Sequence, residues 1–310
     1  MASESRKTVL IALGANAGIG IVKLAAGLLG GSSAMLAEAA HSAADTTNQI
    51  FLLTSLSSSE REPDEQHPFG YGKERFLWSF MAAIFIFVSG SLFSFYQGVS
   101  ELLEGGEGGG WGYTYAALAA ALVLEGTSLV RALRQTRNDA GRAAVPRYVR
   151  TSRDPTTKTV VFEDSAAVTG VVIAALGVGL HQLTGKALFD AVGAILIGCL
   201  LAVVALGLWR DTRGLLIGES ALPEEREKLR AVLERHDGVD DVVELLTMAL
   251  GPSTLLVAAR LDLADDQDSD HIEQVAREID EELRRAVPAV RYVFLDPTSR
   301  DEAPLNPTPS

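Results

Sequence analysis

Six stretches of about twenty predominantly apolar residues run through the first two thirds of the chain, and they dictate what it can fold into. They lie at about 8–29, 33–56, 76–96, 113–133, 159–180 and 188–208. A bilayer core is about 30 Å thick, and a helix rising about 1.5 Å per residue crosses it in about twenty residues. Each stretch is therefore predicted to be a transmembrane helix. Five more spans follow the first, so it reads as a retained helix rather than a signal peptide.

Charge between the spans sets their orientation. The 30–32 turn carries none, the third-to-fourth turn holds Glu104 and Glu107, and the fifth-to-sixth turn has only Lys186. The fourth-to-fifth loop holds Arg134, Arg137, Arg142, Arg147, Arg150, Arg153 and Lys158. Arg6 and Lys7 precede the first span, and Arg210 and Arg213 follow the sixth. The positive-inside rule places both termini on the cytoplasmic or matrix-facing side.

After Glu219 the pattern changes. A helix is predicted over 223–236, strands over 239–250 and 254–263, a helix over 269–287 and a strand over 290–295. This order suits a small two-layer α+β domain. From Leu216 on there are 22 acidic and 10 basic residues, so this part carries nearly all of the net charge of −13. The predicted organisation is a six-helix transmembrane domain at 1–212, a cytoplasmic α+β domain at 213–298 and a disordered tail at 299–310.

Several function classes drop out. The lone Cys199 excludes a disulfide scaffold and a CxxC zinc site. Net acidity without a Lys-rich stretch argues against nucleic acid. No nucleophile–base constellation or phosphate loop is present, so the chain reads as no enzyme, with no prosthetic group.

Ionisable groups inside apolar spans are expensive and mark function. The second span carries Glu38, His41, Asp45 and Asn48, spaced three, four and three apart, so they share one helical face. His41 and Asp45 set an imidazole beside a carboxylate. That pair suits Zn²⁺, and also Mn²⁺, Fe²⁺ or Co²⁺; the alternative is a helix–helix hydrogen bond. The fifth span opens with Glu163 and Asp164, which point about 100° apart, and Asp164 is the favoured site residue. Lys23 is expected to snorkel, and Glu125 to pair with Arg131 or line the pathway. Asp190 reads as interfacial, His181 as bland, and His236 and His271 as solvated.

The string HSAAD at 41–45, the ED pair at 163–164, and His67-Pro68-Phe69-Gly70-Tyr71-Gly72-Lys73-Glu74 together resemble the cation diffusion facilitator family. The strings HSAADTTNQ and EDSAAVTG are most similar to its zinc transporter 9-like branch. The resemblance covers nearly the whole chain. It implies a homodimer with a ferredoxin-like cytoplasmic domain that exchanges a divalent cation, usually Zn²⁺, for protons. It also implies a tetrahedral site with two ligands from the second helix, matched by His41 and Asp45, and two from the fifth, of which Asp164 matches one.

Val160 stands where the family usually has His, so Glu163, Asn48 or water would complete the site. That hardens the donor set toward Mn²⁺ or Fe²⁺. In the family's loop site Asp64 and His67 are present, with Tyr71 where a second His is common. In the tail, Phe294 and Arg260 replace His of some members, and Asp296 remains. Lys73 and Glu219 match a charge pair linking loop to tail. The expected function is proton-coupled export of Zn²⁺, Mn²⁺, Fe²⁺ or Co²⁺ from the cytoplasm, with both termini inside. The Arg/Ala-rich style and the lack of a transit-type N-terminus point to a bacterial plasma membrane. The alternative is a transport-inactive membrane scaffold or metal sensor on the same fold. Asp265, Asp266, Asp268 and Asp270 form an acidic run that draws cations or is simply a solvated loop.

Overall fold

A computed structural model describes residues 2–105, 109–141, 145, 148–149, 155–264 and 269–299. Among the site and loop residues read from the sequence, Glu107, Arg142, Arg147, Arg150, Arg153, Asp265, Asp266 and Asp268 lie outside the described residues, as do the side chains of Arg6, Lys7 and Lys158 and the tail from 300 on. The chain divides into two compact units, Met1–Arg61 with Glu74–Arg213 and Glu62–Lys73 with Gly214–Ser310.

The first unit is a helical bundle. Its helices are α1 (Ala2–Gly30), α2 (Ser33–Ser59), α3 (Glu74–Glu104), α4 (Trp111–Ala140), α5 (Pro155–Thr184) and α6 (Leu188–Ile217). Helices α3, α4, α6 and the Thr159–Thr184 part of α5 are each long and apolar enough to cross a membrane. Asn16–Gly30 is a shorter apolar stretch. The 27 residues of α2 are long enough to cross, but its polar face dilutes their hydropathy. Gly31 turns the chain between α1 and α2 at φ 62°, and the Ser32 hydroxyl caps α2 by accepting from the Met35 amide at 3.1 Å.

The bundle core is built of small residues. Ala34, Ala37, Ala44, Ala121, Ala174 and Ala194 are fully buried with Ile197 and Leu201. Small side chains let helices approach closely where water supplies no driving force. Large apolar side chains such as Ile21, Leu29, Val123 and Val203 stand outside, two thirds or so exposed, as a lipid-facing surface requires. Helix α3 is π-helical over Ile86–Leu92. There the Ser91 hydroxyl donates to the Gly198 carbonyl of α6 at 2.8 Å.

The second unit comprises α7 (Pro223–Arg235), β1 (Val239–Gly251), β2 (Thr254–Leu263), α8 (Ser269–Ala286) and β3 (Val290–Pro297). Pro223 opens α7, and Glu225 accepts from the Leu222 amide at 3.1 Å. The sheet order is β1-β2-β3, with β1 antiparallel and β3 parallel to β2. Period two buries Leu255, Val257, Ala259 and Leu261 of β2, and period four buries Val275, Ile279 and Leu283 of α8. These faces form one core with Leu229 and Leu233 of α7. The predicted α-β-β-α-β order is what forms. His236, expected solvated, is instead mostly enclosed: Nδ1 accepts from the Gly238 amide at 3.1 Å, and Nε2 lies 3.5 Å from Glu278.

Candidate metal centre

Helical periodicity does place Glu38, His41, Asp45 and Asn48 on one buried face of α2. His41 Nδ1 lies 3.5 Å from Asp45 Oδ1. Asn48 crosses to α5, donating to Glu163 Oε2 at 2.6 Å. Both His41 nitrogens, Asp45 Oδ1 and Glu163 Oε1 are buried without a hydrogen-bond partner. Buried polar atoms in folded proteins are nearly always satisfied, and each exception calls for an explanation. Here the exceptions include one imidazole and two carboxylates on facing helices, a donor set that fits a divalent transition cation.

The Glu163–Asp164 pair divides between two neighbours. Glu163 is buried and tied to α2, whereas Asp164 turns to α4 and accepts from the Ser128 hydroxyl at 3.0 Å. Val160 lines a cleft with Asn48, Phe51, Ser55, Trp78 and Thr159. The donors of α2 and α5 have not closed on a point. Among the described residues, the one group of three His, Cys, Asp or Glu side chains with donor atoms within 4.8 Å of one another is Glu101, His181 and Asp190.

Beside His41 lies a network that sequence reasoning missed. Lys23 does not snorkel: it is fully buried, with Nζ 2.9 Å from Glu38 Oε2 and 3.1 Å from Glu125 Oε1. Glu125 therefore pairs with Lys23 rather than Arg131. A single Lys in a short hydrophobic stretch looks the same from sequence whether it reaches the interface or a carboxylate. The signal was the coexistence of Lys23, Glu38 and Glu125 in three different spans. Gly170 of α5 lies flat against Glu38 Oε1, and any Cβ there would collide with it.

In the 62–73 loop Asp64 is engaged from both sides. Its Oδ1 accepts from the His67 and Gln66 amides at 2.7 and 3.1 Å, and its Oδ2 from the Tyr71 hydroxyl at 2.6 Å. The Tyr71 hydroxyl, then the His67 amide, hold the Asp64 carboxyl below the usual aspartate range. His67 Nδ1 lies 3.4 Å from Asp64 Oδ1, and its ring packs on Tyr71 with centroids 4.3 Å apart. Tyr71, standing at the family's second His position, makes the loop a hydrogen-bonded turn.

Lys73 and Glu219 do not pair among the described residues. Lys73 Nζ lies 3.7 Å from Met248 Sδ, and the Glu219 carbonyl accepts from the Ala249 amide at 2.8 Å. The loop holds to the sheet by other means. A Cβ on Gly72 would stand 2.5 Å from the Leu250 carbonyl oxygen, and Phe69 packs edge-on against Tyr292. In the sheet, Arg260 faces Asp296 in register and pairs with it at 3.3 Å. Phe294 is half exposed beside them.

A family model described as the cation efflux transmembrane domain matches residues 9–217, and one described as the cation efflux protein's cytoplasmic domain matches residues 221–296. The chain belongs to the cation efflux, or cation diffusion facilitator, family. Within it the chain falls in the zinc transporter 9-like branch. It is 35% identical over 258 residues to the proton-coupled zinc antiporter SLC30A9, mitochondrial, of Xenopus laevis, covering 83% of this chain and 46% of that protein. It is 32% identical over 261 residues to metal tolerance protein C4 of Arabidopsis thaliana, covering 84% and 57%. It is 28% identical over 300 residues to the manganese efflux system protein MneP of Bacillus subtilis, covering 95% and 97%. The chain thus spans about half the length of the SLC30A9 relatives and nearly all of MneP.

Proposed function

We propose that this member of the family is a proton-coupled antiporter that moves a divalent transition cation, Zn²⁺, Mn²⁺, Fe²⁺ or Co²⁺, out of the cytoplasm. The observation that carries the reading is the set of buried donors without partners on α2 and α5, His41, Asp45 and Glu163. A cation binds such a set only when the imidazole is neutral and the carboxylates are ionised, so loading releases protons. Protons arriving from the other side compete for the same atoms and release the cation. Asn48 holds Glu163 to α2, so relative movement of α2 and α5 opens or closes the donor set.

Names of relatives support the class: one is a proton-coupled zinc antiporter and another a manganese efflux protein. They span two metals, which accords with Val160 replacing an imidazole by harder donors. The proposed setting is a bacterial plasma membrane with both termini cytoplasmic, and the proposed assembly is a homodimer joined through the cytoplasmic domain. We read that domain as metal-poor: Asp296, what remains of the family's site there, pairs with Arg260 at 3.3 Å.

The test is cation uptake into vesicles bearing a pH gradient, wild type against Asp45→Ala. Uptake that requires both the gradient and Asp45 is the expected result and names the cation. A folded dimer that moves none of the four would overturn transport. The scaffold or sensor reading, which Val160 and the unclosed donors favour, would then replace it.

A further inference from the structure

The end of the bundle away from the two termini holds a second donor set that lies outside the α2–α5 site. Glu101 sits in the last turn of α3, His181 in the last turn of α5 and Asp190 in the first turn of α6. All three are buried, with exposures of 7%, 5% and 0%. One ligand atom from each lies within 4.8 Å of the other two. Donors arranged tetrahedrally about one ion, each about 2.0–2.2 Å from it, stand roughly 3.3–3.6 Å apart. A contraction of up to about 1.5 Å, by rotation of the Glu101 and His181 side chains, closes the set.

A structural role accounts more fully for Asp190 than for Glu101. Asp190 Oδ1 accepts from the Ser32 hydroxyl at 2.9 Å and Oδ2 from the Ala34 amide at 3.4 Å, so this carboxylate ties α6 to the start of α2. Each of its oxygens retains a further lone pair. Both Glu101 oxygens are buried and make no hydrogen bond of good geometry, with the Ser33 amide and hydroxyl and the Asp190 carboxyl as their polar neighbours. The Ser33 hydroxyl donates instead to the Gln97 carbonyl at 3.2 Å. His181 is held in place by the Trp111 ring, edge to face with centroids 5.2 Å apart. Two adjacent buried carboxylates cannot both stay ionised unless something positive sits beside them, and the group facing them is an imidazole, which binds a cation when neutral.

We infer that Glu101, His181 and Asp190 form a second divalent-cation site, with one imidazole and two carboxylates as ligands for Zn²⁺, Mn²⁺, Fe²⁺ or Co²⁺. Ser32 precedes His41 by nine residues, so the second site lies about 13 Å along α2 from the first. Binding there stands on its own geometry. Its role as an exit station for the exported cation rests on the transport reading.

The experiment is Co²⁺ titration of the full-length protein in detergent, followed by visible absorption, in a background carrying Asp45→Ala and His67→Ala. That background lacks the α2–α5 site and the loop imidazole. It is expected to retain one Co²⁺ per chain, with affinity lowered at least tenfold by adding either Glu101→Gln or His181→Gln. Asp190 is left alone because it also holds helices together. Should Glu101→Gln fail to fold, His181→Gln decides alone. A background that binds no Co²⁺, or binds it equally with and without the added substitution, overturns the site. Co²⁺ retained in the background while wild type moves no cation would remove the exit-station role and leave the site standing. Transport that depends on Asp45, with no Co²⁺ in the background, would remove the second site and leave the transport reading standing.

Discussion

Lys23 is the side chain whose removal should cost most. Its ammonium is fully buried between Glu38 and Glu125, and breaking a buried pair by deleting one partner costs about 3–5 kcal/mol because a charge is left alone. Lys23→Met should therefore lower the thermal midpoint of the bundle sharply, and adding Glu38→Gln and Glu125→Gln should recover most of the loss. A triple variant no more stable than Lys23→Met would mean that the ammonium does more than neutralise these two carboxylates. Asp64 gives a second residue-scale test. Its folded pKa lies below the ordinary value of about 3.9, so its bonds stabilise the loop fully above that value. They are lost as pH falls through the lower folded pKa. Hydrogen exchange at the Gln66 and His67 amides should stay slow down to the ordinary aspartate range and accelerate only below it, whereas Asp64→Asn should be faster throughout. The face of His41 and Asp45 was legible because helical spacing alone defines it. The turn of Glu163 toward α2 and Asp164 toward α4 was not, since it depends on how far α5 is rotated in the bundle. Glu101 escaped notice for a related reason: an acid at a span end looks interfacial until the neighbouring helices are known to cover it.

Spans and strands were legible at the level of elements because each announces itself by length or period. The 254–263 strand matches its expected ends, since turn residues bound it on one side and β2 alternates cleanly. The π-helical segment of α3 has no such signature and follows from packing against α6. About one turn and a half beyond that segment the two helices nearly touch. A Cβ on Gly98 would stand 2.6 Å from Ile195 Cγ1 and 2.7 Å from the Ala191 carbonyl oxygen. Helix α6 also contains Gly207, around which a Cβ would meet nothing within 4 Å. Gly98→Ala should force the helices apart and destabilise by about 1–3 kcal/mol. Gly207→Ala should be neutral or stabilising by up to about 1 kcal/mol, as alanine for glycine in a helix interior normally is. Thermal unfolding in one detergent compares the two. Equal losses would mean that helix propensity in the micelle, rather than the α3–α6 contact, sets the outcome.

The whole molecule joins two units with separate cores, one of small residues among spans and one of a sheet with two helices. Their cation chemistry differs as well. The bundle contains buried donors without partners, whereas the tail pairs Asp296 with Arg260, and its excess acid lies on a part of the chain where salt screens exposed charge within about 10 Å. A ligand that binds only the folded state stabilises it by about 2.7 kcal/mol at a hundred times its Kd. For a unit of about 200 residues that corresponds to a rise in midpoint of roughly 5–10 °C. Calorimetry of the full chain should therefore show two transitions, of which cation raises only the bundle's. Asp45→Ala should remove part of that rise, and Glu101→Gln combined with Asp45→Ala all of it. A cation-dependent shift in the tail's transition would mean that its acidic residues assemble a site of their own. The metal-poor reading of Phe294, Arg260 and Asp296 would then fail at the scale of the molecule even though each residue is placed as described.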